Sequence, residues 1–224
     1  MSLDPKQAAK IQRKLPDAGN QPARCFAIID IGKQAQSFKG QAKDPAQRVM
    51  ICFELSKFMH TFKEGQPAEP LAIFQEFTYS AGEKAKLPKV LKSWGKLSKP
   101  VASINLKPYL GQYCMLNVEH TASKDGTTTY ANISGNGLGI SPYMKELGNP
   151  PQKFHKDIYF DFDAWSWESF FKLPRRAQKR IRESVDFAGI CSKFPEPIQA
   201  GSGEVAQMDH AVDTDGMTGD APNF

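Results

Sequence analysis

The sequence predicts a mainly β fold: a small five-stranded Greek-key barrel with added helices, followed by an acidic C-terminal tail. Three observations predict it. Several short runs of β-branched, aromatic and aliphatic residues stand at strand length. A helix-period segment falls between the third and fourth of these runs. From Pro195 onward Pro, Gly, Ser and acidic residues replace nearly all bulky apolar ones, so disorder is expected there. The chain has 224 residues, enough for one sizeable domain with a buried core. We divide it into an N-terminal arm (1–22), a domain (23–194) and a tail (195–224).

In chain order, "ARCFAIIDIGKQ" opens the body, with six apolar residues among the eight from Cys25 to Gly32, and reads as a buried strand. "QRVMICFEL", 47–55, alternates Val49, Ile51, Phe53 and Leu55 against Met50, Cys52 and Glu54. "LAIFQEFTY", 71–79, is the third strand. In "YSAGEKAKLPKVLKSWGK", Ser80 and Glu83 stand at capping-box spacing ahead of Leu87, Val90, Leu91 and Trp94 at helical spacing, with Pro88 forcing a restart or kink. "QYCMLNVEHTA" and "TTYANISG" flank the turn signal "KDGT" and form a hairpin. A Gly- and Pro-rich stretch, 135–151, leads to a short strand "DIYFDF", an aromatic helical turn from Trp165 to Lys172, and a basic helix starting at Pro174. Five strands with a helix between the third and fourth suit the OB type of barrel.

Positions 204–224 carry five carboxylates and no lysine or arginine, while the preceding residues hold 29 basic against 19 acidic side chains, a surplus of ten. The formal net charge of +5 conceals this split, which suggests a polyanionic partner for the body and a competing or separately docking tail. Cys25, Cys52, Cys114 and Cys191 show no CxxC spacing and read as reduced core residues. With no apolar leader and no 18-residue apolar stretch, a cytoplasmic protein without a membrane partner is expected.

Catalytic patterns are few. His60, His120, His155 and His210 are isolated from one another, so no metal site is readable. Asp161 and Asp163 in "YFDFDAW" would share a strand face, as a two-metal nuclease requires. The structural alternative is an edge strand whose second Asp caps the Trp165 helix. "SGNGLGISP" fails the dinucleotide fingerprint on spacing, "IDIGK" lacks a Walker loop, and no hydrolase elbow occurs. A non-enzymatic binding protein without cofactor is expected.

Lys84, Lys86, Lys89, Lys92, Lys96 and Lys99 recur around Trp94. Arg175, Arg176, Lys179, Arg180 and Arg182 decorate the C-terminal helix. Each run is either a solvated face or a phosphate-facing surface. On the hairpin, Tyr113 and Tyr130 oppose the apolar set Cys114, Leu116, Val118, Ala131 and Ile133, and outward rings beside cations are what single-strand binders stack bases on. Lys33, Phe38 and Lys39 in "GKQAQSFKG" offer a loop version at the rim of an OB groove.

The blocks "ARCFAIIDIGKQ…SFKGQ…RVMICFEL" and "FTYSAGEKAKLPKVLKSWGK" resemble a group of bacteriophage single-stranded DNA-binding proteins with an OB core, over roughly residues 23–187. Pro88 departs from that group's pattern. The tail resembles the acidic, aromatic-terminated tips of bacterial and phage single-stranded DNA-binding proteins, with Asp213, Asp215, Asp220, Pro222 and Phe224 in the corresponding roles and Ala221 and Asn223 interrupting the match. The resemblance implies sequence-nonspecific binding of single-stranded DNA in replication, recombination or repair, in host cytoplasm if the protein is viral. It also implies a tail that competes with DNA and docks on replication or recombination proteins, and it leaves a homo-oligomer open. A strand-annealing protein, a metal-dependent nuclease using Asp161 and Asp163 with Glu54 or Glu76, and a scaffold component are the rivals.

Overall fold

The computed structural model describes residues 14–62, 64–82, 84–95, 104–123 and 125–197. The strands are β1 (Gly19–Phe38), β2 (Gln41–His60), β3 (Glu69–Thr78), β4 (Tyr113–Ala122), β5 (Thr129–Ile133), β6 (Ile140–Pro142) and β7 (Ile158–Phe160). Helix α1 (Lys86–Ser93) falls between β3 and β4, and α2 (Ser134–Gly137) is a single turn after β5. The C-terminal part adds α3 (Trp167–Phe171), α4 (Arg175–Arg182) and α5 (Phe187–Lys193). None of the described helices is long and apolar enough to cross a membrane.

The fold is mainly β, and the sheet is open, with strand order β3-β2-β1-β4-β5. β1 runs through its centre. Along one edge it pairs with β2 from Arg24 to Phe38; along the other it pairs first with β4, from Gly19 to Arg24, and then with the parallel β7. Closure into a barrel fails for lack of a ladder between the outer strands. β3 and β5 instead approach each other through the turn after β5, where Gly137 has φ +91° and an added Cβ would stand 2.9 Å from the Phe77 ring. Only glycine tolerates both that backbone and that proximity.

The alternation in β2 sends Val49, Ile51, Phe53 and Leu55 into one core and Met50 and Cys52 into another. The first core is lined by β4 and β5 through Leu116, Val118, Ala131 and Ile133, and α1 fills it with Leu87, Val90, Leu91 and Trp94. The second lies on the other sheet face, where Phe160, Trp165, Phe170, Ala177 and Ile181 cover Phe26, Ile29 and Phe74. Rings pack closely there: Trp165 lies 5.5 Å from Phe160 and 5.2 Å from Phe170. Cys25, Cys52 and Cys114 are buried free thiols, and burial pushes each of them up from the usual thiol range.

Several expected boundaries move. β1 and β2 are each 20 residues long, so "GKQAQSFKG" is not a loop. Helix α1 starts at Lys86 without a side-chain cap, and the Ser80 hydroxyl accepts from the Gly82 N–H instead. Pro88 therefore sits in the first turn, where a missing N–H costs nothing, and produces no kink. Asp163 does not cap the aromatic helix. Asp161 accepts from the Asp163 N–H, and Ser166 caps α3 through the Ser169 N–H.

A buried ion network pins the segment before β7 to the sheet. The Glu54 carboxylate, fully buried, accepts from Arg24 at 2.7 Å, from the His155 ring at 2.7 Å and from the N–H groups of Phe154 and His155. Arg24 also bonds Asp157. Burial alone would raise Glu54, but these donors overcome it and hold the carboxyl below its usual value.

Candidate nucleic-acid interface

Beyond Gln34 the β1–β2 ribbon leaves the body of the sheet, and residues 39–45 are exposed. From Gln34 to Phe38 it extends about 13 Å at the usual rise per residue. Its tip is a two-residue turn in which Lys39 and Gly40 both have positive φ, 50° and 79°, as a hairpin of matching twist requires. Pro45 is accommodated because the register shifts between Gln34 and Gln36, and a bulge frees that position from the ladder.

This ribbon brings an aromatic ring and two cations together. The Lys43 ammonium lies 4.3 Å, and that of Lys39 5.5 Å, from the centroid of the half-buried Phe38 ring. Lys43 faces Gln36 across the ribbon and so meets Phe38 as a diagonal neighbour on the same face. Neither lysine has a carboxylate partner among the described residues. Lys33, at the ribbon's base, is different: its ammonium stands 3.8 Å from Asp186, which also accepts from the Lys33 N–H.

Helix α1 supplies a second group. Leu87, Val90 and Leu91 bury its inner face, while Lys84 just before it and Lys89 and Lys92 on its outer face are exposed, with Lys86 half-buried. None of these four lysines has a carboxylate partner among the described residues. Lys96 and Lys99 lie outside the described residues.

Trp94 does not belong to a surface. It is 3% exposed, wedged 5.6 Å from Phe53 and 5.1 Å from Tyr109, and its Nε1–H donates to the Tyr113 carbonyl. No face of the ring is left for a base. Tyr113 and Tyr130 are both half-buried and share a sheet face, since Tyr130 stands opposite Thr121. Eight residues of β4 separate Tyr113 from Thr121, about 27 Å along the strand, so the two tyrosines cannot form one stack. Tyr113 instead meets Tyr143 edge-on at 6.1 Å.

The basic helix α4 is largely neutralised. Arg180 bonds Glu76 and Glu183, Lys179 stands 3.9 Å from Glu183, and Arg182 pairs with Glu196. Of the carboxylates considered for a nuclease, Glu54 and Glu76 are held by arginines, and no group of three or more potential metal ligands occurs among the described residues. Sequence reasoning missed Lys43 and Tyr143. Lys43 was findable, since a Lys-Gly turn after Phe38 places residue 43 on the same ribbon face. Asp213, Asp215, Asp220, Pro222 and Phe224 lie outside the described residues.

No protein-family model, curated protein or solved structure matches this chain.

Proposed function

We propose that the protein binds single-stranded DNA without sequence preference, as a non-enzymatic coat protein of the kind bacteriophages encode. The observation that carries the reading is the ribbon tip, where two ammonium groups that no described carboxylate neutralises lie within 5.5 Å of the Phe38 ring centroid. A ring offers its face to any base while the cations take phosphates, which is the chemistry of sequence-tolerant single-strand binding. The strand order and the position of α1 support an OB-type core for β1–β5, and in such a core the β1–β2 connection borders the binding groove. The lysines of α1 extend the positive surface. In this reading the acidic tail, through Asp213, Asp215, Asp220, Pro222 and Phe224, competes with DNA for those cations and docks on replication or recombination proteins.

The test is a fluorescence titration of oligo-dT and the matching duplex with the full chain at several salt concentrations. Preference for the single strand is expected, with affinity falling by a log–log slope of about −0.7 per phosphate contact. Equal affinity for duplex, or affinity indifferent to salt, would remove the proposal. Removing residues 201–224 should tighten binding.

A further inference from the structure

A cleft of about 900 Å³ opens where the middle of β1 and β2 and the end of β3 meet the segment from β7 to Asp163 and helix α5. Its floor is apolar, with Ile28, Val49 and Leu106 from the first core. Five aromatic residues line it: Tyr79 and Tyr159, 42% and 44% exposed, with Phe160, Phe162 and Phe194. Four carboxylates, Asp30, Asp161, Asp163 and Asp186, stand among these rings.

The cations at the cleft do not balance the carboxylates. Lys33 is taken by Asp186, and Arg48 stands 3.7 Å from Glu76, a carboxylate outside the cleft that Arg180 also bonds, so Arg48 and Lys193 remain against Asp30, Asp161 and Asp163. The local field is therefore negative on a chain of net +5. Titration directions agree with the geometry. Burial pushes the Asp30 carboxyl up, and Asp161 and Asp186 push it the same way, against hydrogen bonds from Gly32 and Gln47. Burial also raises Tyr159, and Asp161, Tyr79 and Asp30 add to the rise.

Such a field repels phosphate, so the cleft is not part of a DNA path. Aromatic faces beside carboxylates suit an organic cation, above all a guanidinium, which stacks on rings and forks onto carboxylate oxygens. The volume is several times that of one side chain and admits a short stretch of chain. We propose that this cleft is the docking site for an arginine-bearing basic segment of a protein partner, seated against Tyr79 and Tyr159 with its charge among Asp30, Asp161 and Asp163. This site does not depend on the DNA reading, and either can fail without the other.

The experiment uses the full chain and a fluorescent nonapeptide with three arginines among alanine, glycine and serine, beside the same peptide with each arginine replaced by neutral citrulline. Two chains alter the cleft: Tyr159→Ala, which removes an exposed ring, and Asp163→Asn, whose carboxylate makes no hydrogen bond of its own among the described residues. A third chain, with Asp213, Asp215 and Asp220 each changed to Asn, removes the tail as a rival polyanion. Binding of the arginine peptide alone is expected, weakened about tenfold by Tyr159→Ala and about fivefold by Asp163→Asn, and unchanged by the tail substitutions. No binding, equal binding of the citrulline peptide, or loss through the tail substitutions without loss through the cleft substitutions overturns the proposal. Thermal melting of each variant establishes that it is folded.

Discussion

Replacing Lys39 and Lys43 together by alanine tests the ribbon tip most directly. Both ammonium groups lie within 5.5 Å of the Phe38 ring centroid, so a base stacked there brings its phosphates within their reach. Each phosphate neutralised on a single strand adds about 0.7 to the slope of log affinity against log salt. Loss of two contacts lowers the slope by about 1.4, which between 1 M and 0.1 M salt amounts to about a 25-fold weakening at the lower concentration. Phe38→Ala should act differently: one lost stack costs about 1–3 kcal/mol, at least about fivefold, with the slope unchanged. No residue from 35 to 46 belongs to either core, so melting temperatures should stay at the parent value. Titration of oligo-dT between 50 mM and 500 mM salt, on the order of the range over which such slopes are measured, reads both quantities. A lysine double variant with unchanged slope and affinity would refute the assignment, as would one whose melting temperature falls with its affinity.

Trp94→Ala should cost about 3–5 kcal/mol in urea melts, because it empties a site between Phe53 and Tyr109, whereas Trp94→Phe should stay folded and bind oligo-dT as the parent does. Loss of binding by the folded phenylalanine variant would show that the ring reaches DNA after all. Glu54→Gln removes the buried carboxylate facing Arg24 and should destabilise by about 3–5 kcal/mol at neutral pH. The folded Glu54 carboxyl titrates below its ordinary value of about 4.3, so its stabilisation is whole above that value and is lost as pH falls through the folded pKa. Urea melts on the acid side should therefore be steeper in pH for the parent than for the glutamine variant. Gly137→Ala combines a positive φ with a contact to the Phe77 ring and should cost about 2 kcal/mol; a melt within error of the parent would show that β3 and β5 move apart freely.

Period-two alternation made the centres of β2, β4 and β5 legible, because one apolar side of each strand fills the first core. The same periodicity does not reveal the ribbon. From Gln34 to Pro45 nothing is strongly apolar except Phe38, so only the cross-strand ladder marks those residues as strand. Trp94 shows the opposite case. It follows Leu87 by seven and Val90 by four residues, on the inner stripe of α1, and that spacing outweighs the lysines around it. The ion pairs of α4 were out of reach, since Arg180 meets Glu76 from 104 positions away. Counting cations in a segment says little until their partners are known.

The two proposed sites, the cleft beside the middle of β1 and the ribbon tip at its end, have opposite charge. β1 carries Asp30 in the acidic cleft and Phe38 at the basic tip, eight residues apart, or about 26 Å along the strand. At physiological ionic strength the screening length is about 8 Å, so the cleft's field at the tip is reduced to a small fraction of its unscreened value. In the proposed readings, phosphates at the tip would therefore not feel the aspartates, and a cationic segment in the cleft would not compete with the tip lysines. Asp163→Asn should leave affinity for oligo-dT unchanged at about 0.15 M salt and raise it only near 0.01 M, where the screening length of about 30 Å spans the two sites. A change in DNA affinity at the higher salt would mean that the strand itself passes over the cleft.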